Sequence, residues 1–288
     1  MPQNLTPQQK QQIAQAQAMK AKLDARPLEL DTLKGKLDVK WLGHAGFKIH
    51  FLDAEDIHRN IYIDIWADNK NCPESDKKTP PNDADLSLVT AGQLDHSMHA
   101  PFLMMAGKRE KRQIVSTTEV GLFFQTFRKM PAEMFVKLQP GGHKDFGWCK
   151  ITMTTAQYPS TCQGPQGQPL PGGLGVGFVV EIPHHNISFY HAGNTNLFSD
   201  MKIINDLYRP DVSFLPIGDN NGMGPREAAY CAKNFLTHSK TFIPMNFGSF
   251  PTQTGTFEDF QAQCEEMGVT AEVKDPKGYF GGAAVIEA

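Results

Sequence analysis

The chain has 288 residues and a formal net charge of −3, from 28 Lys and Arg against 31 Asp and Glu. Hydrophobic residues make up 40% and charged residues 20%, a composition that excludes wholesale disorder. The small net charge provides no field that would attract nucleic acid or an acidic membrane surface. No apolar run approaches the roughly 18 to 20 residues that a membrane span needs.

The cysteines indicate a reducing compartment. Cys72, Cys149, Cys162, Cys231 and Cys264 are odd in number, widely spaced and include no CxxC pair. Neither a disulfide framework nor a zinc knuckle is expected from such spacing. A cytoplasmic protein is therefore predicted.

Residues 1–36 are predicted to form a helical arm that precedes a single domain at 37–288. Thr6, Pro7 and Gln9 fit the N-cap, first helical position and capping box of a helix. Such an arm would pack on the domain or on a neighbouring subunit, which leaves a homo-oligomer open. A mitochondrial presequence is the alternative, because this segment has more basic than acidic residues before position 27, although Arg is scarce and Ser is absent there.

From residue 37 onward, alternating and continuous apolar runs predict a chain rich in strands. The strands are predicted at 37–41, 47–51, 61–66, 86–90, 151–155, 176–182, 187–191, 212–216 and 241–245. Helices are predicted at 118–128, 196–208, 225–236 and 257–267, each beginning near a capping residue or an N1 residue. The early strands follow one another as hairpins and the later ones alternate with helices, which indicates sheets covered by helices in an α/β layered fold.

The stretch at 163–177 is predicted to be a loop. It contains six Gly and three Pro in 15 residues. Such a composition is typical of an irregular, mobile segment. It could serve as a lid over a site.

A polar cluster at the end of predicted strand 86–90 is the first candidate site. The strand runs into AGQLDH at 91–96, and layered α/β proteins place ligand sites at strand ends. The pair Asp95–His96 is weak evidence by itself, but further motifs follow in order along the chain. These are WLGHA at 41–45, YHAGNT at 190–195, LPIG at 215–218, MGPREA at 223–228 and PMNFGSFP at 244–251.

In this order and spacing, the motifs resemble those of the metallo-β-lactamase-fold hydrolases. The resemblance is to the branch that includes ascorbate-6-phosphate lactonase-like and related metal-dependent hydrolases, and it covers about residues 37–280. It implies an αββα sandwich with its site along one sheet edge. This expectation agrees with the layered architecture predicted from the elements.

The resemblance also implies that most of the family's metal ligands are replaced. Its H-x-H-x-D-H signature falls on 91–96, where only Asp95 and His96 match. The other five of the seven ligand positions hold Ala91, Gln93, Gln157, Asn194 and Asn246.

These replacements predict a polar pocket without the family's two metal ions. A catalytic zinc takes about three imidazole, thiolate or carboxylate ligands, and amide oxygens are poor zinc donors. Amide side chains can instead build a hydrogen-bonded pocket. His44 and His191 belong to the resembling motifs outside the ligand positions and are predicted to line the same cavity.

Three functions are compatible with this sequence. The first is a degenerate homologue with no cofactor, which binds an unidentified small molecule or protein. The alternative is an active hydrolase of a phosphoester, lactone or amide. It would use one divalent ion, zinc or similar, on Asp95 and His96, with Asn194 or Asn246 oxygens completing the shell. The third is metal-free acid–base catalysis by the Asp95–His96 pair.

Overall fold

The computed structural model describes residues 37–78, 81–106 and 109–279. Every motif quoted above falls within these ranges. The predicted helical arm at 1–36, under either interpretation, lies outside them.

One sheet contains the first six described strands in chain order. Strands β1 to β3 form an antiparallel meander, and β3 to β6 run parallel. The strands are β1 (Leu37–Trp41), β2 (Phe47–Leu52), β3 (His58–Ile63), β4 (Leu86–Leu88), β5 (Gln113–Thr117) and β6 (Phe135–Leu138).

The second sheet contains the other seven described strands in the order β13-β12-β11-β10-β9-β8-β7. Strands β7 to β10 pair antiparallel, and β10 to β13 pair parallel. The strands are β7 (His143–Asp145), β8 (Lys150–Gln163), β9 (Pro169–Ile182), β10 (Ile187–His191), β11 (Val212–Pro216), β12 (Thr241–Met245) and β13 (Glu272–Val273).

Helices follow strands in both halves of the chain. Thr117 caps the first long helix by accepting a hydrogen bond from Val120 N, and Thr256 caps the last by accepting one from Asp259 N. None of the described helices is long and apolar enough to cross a membrane. They are α1 (Glu74–Lys78), α2 (Leu94–Ser97), α3 (Ala100–Ala106), α4 (Thr118–Phe127), α5 (Met201–Tyr208), α6 (Pro225–Asn234) and α7 (Phe257–Glu266).

The main core lies between the two sheets. Phe47 of β2 meets Phe214 of β11 with ring centroids 4.3 Å apart, and both rings are fully buried. Trp41 and Phe178 belong to the same cluster. Burial of such aromatic side chains from both sheets dominates the packing energy. The predicted layered α/β sandwich is therefore confirmed.

The predicted loop at 163–177 is wrong. Most of it belongs to a long hairpin in which β8 runs to Gln163 and β9 begins at Pro169. The register of this pair shifts between Thr155 and Thr161, at bulges where the strands bend. Gly and Pro are tolerated here because several of these residues are exposed and lie beside such irregular pairing.

The fold brings the ends of several strands to one edge. The chain leaves β3, β4, β10 and β12 at this edge, and the turn from β1 to β2 lies beside it. Backbone pairing links these segments, since Asn246 N donates to His44 O at 2.9 Å and Val176 N donates to Thr90 O at 2.9 Å. The polar residues of the motifs follow these strand ends.

A partly buried ion pair makes the stability of the first sheet depend on pH. The Asp83 carboxylate accepts from Lys48 Nζ at 2.9 Å and from Tyr62 Oη at 2.6 Å. Burial alone would raise the pKa of Asp83, but Lys48 and the Tyr62 hydrogen bond outweigh it and hold the pKa below its ordinary value.

We expect Asp83→Asn to lower the free energy of unfolding by about 2 kcal/mol at neutral pH. A depressed carboxyl pKa contributes stability above its unfolded value, about 3.9, and loses it as the pH falls through the folded value. The difference between wild type and variant in urea unfolding should therefore shrink below about pH 4. Asp56→Asn, on the exposed turn between β2 and β3, is the control. A difference that does not change with pH would contradict the ion pair.

Candidate functional site

The candidate site is built from residues that follow strand ends at the shared edge. The first sheet contributes the turn after β1, the residue after β3 and helix α2 after β4. The second contributes residues after β10 and after β12. In chain order the cluster is His44, Asp64, Asp95, His96, Asn194 and Asn246.

Three of these side chains bring metal-ligand atoms close together. His44 Nε2 lies 3.1 Å from Asp95 Oδ2, and His96 Nε2 lies 3.9 Å from the same oxygen. All three donor atoms lie within 4.8 Å of one another. The two histidines are buried and the Asp95 side chain is 22% exposed, so the carboxylate is the member that meets solvent.

Asp64 fixes the orientation of His96. Its carboxylate accepts from His96 Nδ1 at 2.7 Å and from Thr90 N at 2.8 Å, and it also contacts Thr90 Oγ1. Asp64 and His96 have no solvent exposure. The Nδ1 proton is therefore held on the Asp64 side, and Nε2 faces the cluster.

The carboxylates make this cluster attractive to a cation. Burial would lower the pKa of His96, but Asp64 and Asp95 outweigh it and raise the pKa to about 9. Burial would likewise raise the pKa of Asp95, but His96 and His44 lower it to about 2. His44 has a lowered pKa, chiefly because of its burial. A positive charge at His96 Nε2, whether a proton or a metal ion, is therefore favoured by Asp64 and Asp95.

A chain of amide side chains borders the cluster. Gln253 Nε2 donates to Asn246 Oδ1 at 2.9 Å, Asn246 Nδ2 donates to Asn194 Oδ1, and Asn194 Nδ2 lies 3.3 Å from His96 Nε2. All four residues are buried. The amide of Asn194 therefore presents its NH₂ group to His96 Nε2, a contact that needs an unprotonated nitrogen there and so competes with the proton that Asp64 and Asp95 favour.

In this arrangement both amide oxygens that were expected to complete a metal shell already accept a hydrogen bond. The oxygen of Asn194 accepts from Asn246, and the oxygen of Asn246 accepts from Gln253. The amide pocket predicted from the sequence is present, but the amide nitrogen of Asn194, and not its oxygen, faces His96.

Three residues of the cluster have left-handed backbone conformations. The φ angles are 53° at His44, 46° at Asp64 and 56° at Asn246. Such conformations are uncommon for residues other than glycine and gather at functional sites. At His44 the conformation is held in place because its carbonyl accepts from Trp41 Nε1 at 2.8 Å and from Asn246 N.

Two other predicted pocket residues, Gln93 and Gln157, are placed differently. Gln93 is half-buried, and its amide donates to Pro159 O at 2.8 Å, which ties α2 to β8. Gln157 does not join the cluster, because its side chain is exposed on β8. The adjacent residue, Tyr158, is half-buried with its hydroxyl near Asn194 and Asp95, and burial together with Asp95 raises the pKa of this phenol.

His191 also lies outside the cluster. It is fully buried, its Nε2 donates to Ala45 O at 2.9 Å, and its Nδ1 accepts from Gly193 N at 3.2 Å. Both ring nitrogens are therefore occupied by backbone groups, and burial lowers the pKa of this histidine. Its role in the structure is to join the end of β10 to the turn before β2.

Aromatic rings flank His44 on the solvent side. The His44 ring meets Trp66 edge-on at 5.3 Å and Phe250 at 5.5 Å, and these two rings stack at 5.4 Å. Trp66 and Phe250 are half-buried. The approach to the three donors is therefore partly apolar.

Sequence reasoning missed five residues of this neighbourhood. They are Asp64, Trp66, Tyr158, Phe250 and Gln253. A signal existed for Asp64, since an acidic residue within a predicted buried strand requires a partner. Gln253 follows a quoted motif by only two residues, but nothing in its type indicated that it faces the site.

The donor set fits one divalent ion. Two imidazoles and a carboxylate are a familiar set for a catalytic zinc, and the Asp64 contact leaves His96 Nε2 as the available nitrogen. Within the described ranges this is the single group of at least three His, Cys, Asp or Glu side chains that could hold a metal ion. The geometry therefore supports a site for one ion.

Comparison with known proteins agrees with this fold. Residues 38–246 match the Beta-lactamase superfamily domain. A metallo hydrolase of known structure from the hyperthermophilic archaeon Ignicoccus hospitalis superposes with a TM-score of 0.65 at 24% identity, covering 83% of this chain and 94% of that one. The chain belongs to the metallo-β-lactamase-fold family.

Closer relatives are found by sequence. A protein of Rubrobacter xylanophilus named UPF0173 metal-dependent hydrolase is 35% identical over 240 residues, covering 83% of this chain and 93% of the relative. A protein of Koribacter versatilis with the same family name is 36% identical over 234 residues, covering 80% and 93%. The family predicted from the motifs is thus confirmed at the level of the metallo-β-lactamase fold.

Proposed function

We propose that the protein is a metal-dependent hydrolase that works with a single divalent ion held by His44, Asp95 and His96. The convergence of their three donor atoms carries the proposal. The relatives named metal-dependent hydrolases support it. A lactone, phosphoester or amide stays the predicted substrate, and the phosphorylated lactone suggested by the motif resemblance is one member of that set.

The residues of the site have separable roles. A bound divalent ion would supply a Lewis acid and a water molecule of lowered pKa. Asp64 orients His96 by holding its Nδ1 proton. Asp95, the partly exposed member, meets the entering substrate. The half-buried rings of Trp66 and Phe250 limit the access of water from one side.

Tyr158 holds a proton beside the same cluster. Its raised pKa keeps the phenol protonated at neutral pH, and its hydroxyl lies near Asp95 and Asn194. A protonated hydroxyl at this place can donate a hydrogen bond to a leaving group.

A binding protein without metal is the second candidate. The observation that favours it is that the donor atoms already have hydrogen-bond partners, since His44 contacts Asp95 at 3.1 Å and Asn194 contacts His96 at 3.3 Å. On this alternative the amides replace the metal and the pocket binds a small molecule or a protein. The two candidates differ in metal content.

Metal analysis of full-length protein purified without chelators tests the proposal. We expect about one zinc, manganese or iron per chain, and turnover of at least one of an aryl ester, a lactone, a phosphorylated lactone, a phosphodiester and an amide. Asp95→Ala should abolish both metal binding and turnover, because it removes the one carboxylate of the donor set. Asp68→Ala, an exposed aspartate beyond β3, is the control and should keep both.

The outcomes separate the three functions. Protein that holds no metal, even after dialysis against zinc, and that turns over no substrate would reject the proposal in favour of the binding protein. Turnover that survives chelation would instead favour acid–base chemistry by Asp95 and His96. Unchanged metal content in Asp95→Ala would show that the ion lies elsewhere.

A further inference from the structure

The amide of Gln253 can have only one orientation. Its Oε1 accepts from two backbone groups, Ser249 N at 2.8 Å and Phe250 N at 3.1 Å. Its Nε2 donates to Asn246 O, a backbone carbonyl, at 2.9 Å. A backbone N–H can only donate and a carbonyl can only accept, so turning this amide over would break all three hydrogen bonds.

This orientation passes along the chain of amides. Because Gln253 Nε2 also donates to Asn246 Oδ1 at 2.9 Å, the NH₂ group of Asn246 must point the other way, toward Asn194. The oxygen of Asn194 accepts from it, and so its own NH₂ group faces His96 Nε2 at 3.3 Å. The backbone N–H groups of Ser249 and Phe250 therefore determine, through three buried side-chain amides, which atom of Asn194 faces the site.

We propose that Gln253 is a positioning residue that, through Asn246, holds Asn194 as a hydrogen-bond donor to the substrate oxygen that gains negative charge during hydrolysis. The donor role rests on the proposed function, whereas the orientation of the amides does not. The orientation of the amides distinguishes Asn194 from a metal ligand, because the atom that faces the site is the amide nitrogen.

The acceptor of this N–H changes when the site is used. If His96 Nε2 held an ion at about 2 Å, the Asn194 N–H would lose its present acceptor and Nδ2 would have to move off the line of that lone pair. Because Asn194 Oδ1 accepts from Asn246, we expect the amide to shift with its NH₂ group still on the side of the site. An oxygen of the substrate beside the donor triad would then compete with the Tyr158 hydroxyl for this N–H. A preorganised donor of this kind stabilises developing charge at little reorganisation cost.

Kinetics and zinc binding of two variants test the donor role. Asn194→Ala should lower kcat by about 10²–10³-fold with little change in KM, the loss typical of one oxyanion donor. Gln253→Met should lower kcat by about 10-fold, because the donor is present but no longer held. Both variants should keep zinc affinity within about threefold, since neither removes a ligand. Gln263→Met, at a half-buried glutamine of α7, is the control and should change none of these.

The orientation is tested separately in chelator-treated full-length protein by NMR of the side-chain NH₂ groups. Slow hydrogen exchange is expected for the NH₂ groups of Asn194 and Asn246. Gln253→Met should speed this exchange by at least about tenfold, whereas Gln263→Met should not. Unchanged protection in Gln253→Met would overturn the relay.

The remaining outcomes are also decisive. A loss of zinc affinity beyond tenfold in Asn194→Ala would make Asn194 a ligand and overturn the donor role. An unchanged kcat in that variant would overturn it as well. Wild-type protein without zinc or turnover would remove the proposed function and the donor role together, but the exchange measurement would still judge the orientation of the amides.

Discussion

Replacement of Asp64 by alanine is expected to remove about 3–5 kcal/mol from the free energy of unfolding, the cost of breaking a buried charge pair. The carboxylate is fully buried and is the acceptor for His96 Nδ1 and Thr90 N. Without it, both donors would be left unpaired in the interior, where each unmade hydrogen bond is costly. Urea unfolding of wild type and variant measures the difference.

Asp64→Asn separates the metal site from the fold. The amide keeps the shape of the side chain but weakens the support of His96, and zinc affinity measured by calorimetry should fall by about 10–100-fold. Stability should fall less than in Asp64→Ala. Zinc affinity equal to that of wild type would contradict the orienting role of this carboxylate.

The second large effect is expected at Gly193, which precedes Asn194. Its φ is +66°, and a Cβ here would come 2.3 Å from the backbone oxygen of Val176. Gly193→Ala would combine the strain of a left-handed alanine with a clash against a strand that cannot shift cheaply. We expect a loss of about 3 kcal/mol in the free energy of unfolding.

Gly141→Ala isolates the conformational part of that loss. Gly141 has φ +88°, and a Cβ there would meet nothing within 4 Å. This variant should lose only about 1 kcal/mol, the lower end of the cost of a strained backbone. Equal losses in the two variants would mean that the Val176 contact adds nothing. Thermal unfolding followed by circular dichroism compares them.

Central strands and capped helices could be predicted from the sequence. The predicted ranges 187–191, 212–216 and 241–245 coincide with β10, β11 and β12, because strands buried on both faces are continuous apolar runs. Helices at 118, 225 and 257 begin as predicted, where a Thr cap or an N1 proline marks the start. The helix predicted from 196 begins only at Met201.

Three of the four edge strands of the described sheets could not be predicted in the same way, whereas the edge strand β1 was predicted at 37–41 because its residues alternate between apolar and polar. Strands β6, β7 and β13 were missed, and each lies at the edge of its sheet with no fully buried residue. An edge strand needs no apolar alternation, since one side of it faces solvent. The inner strand β5 was also missed. The β8–β9 hairpin was hidden by its Gly and Pro content.

At the site, the sequence predicted which polar residues lie close together but not which atoms of their side chains face one another. His44, Asp95, His96, Asn194 and Asn246 do come together, because each follows the end of a strand or a turn at one edge. Which atom of an amide faces a neighbour depends on donors distant in sequence, such as the backbone at 249 and 250. The metal-free interpretation stays a prediction.

The relay also joins the two halves of the sandwich. Asp64 and His96 come from the first sheet, whereas Asn194, Asn246 and Gln253 come from the second. Neither sheet can open at this edge without parting His96 from Asn194. A ligand that binds here should therefore slow hydrogen exchange in β4 and β12 together. Binding at the site would in this way stabilise the contact between the two sheets.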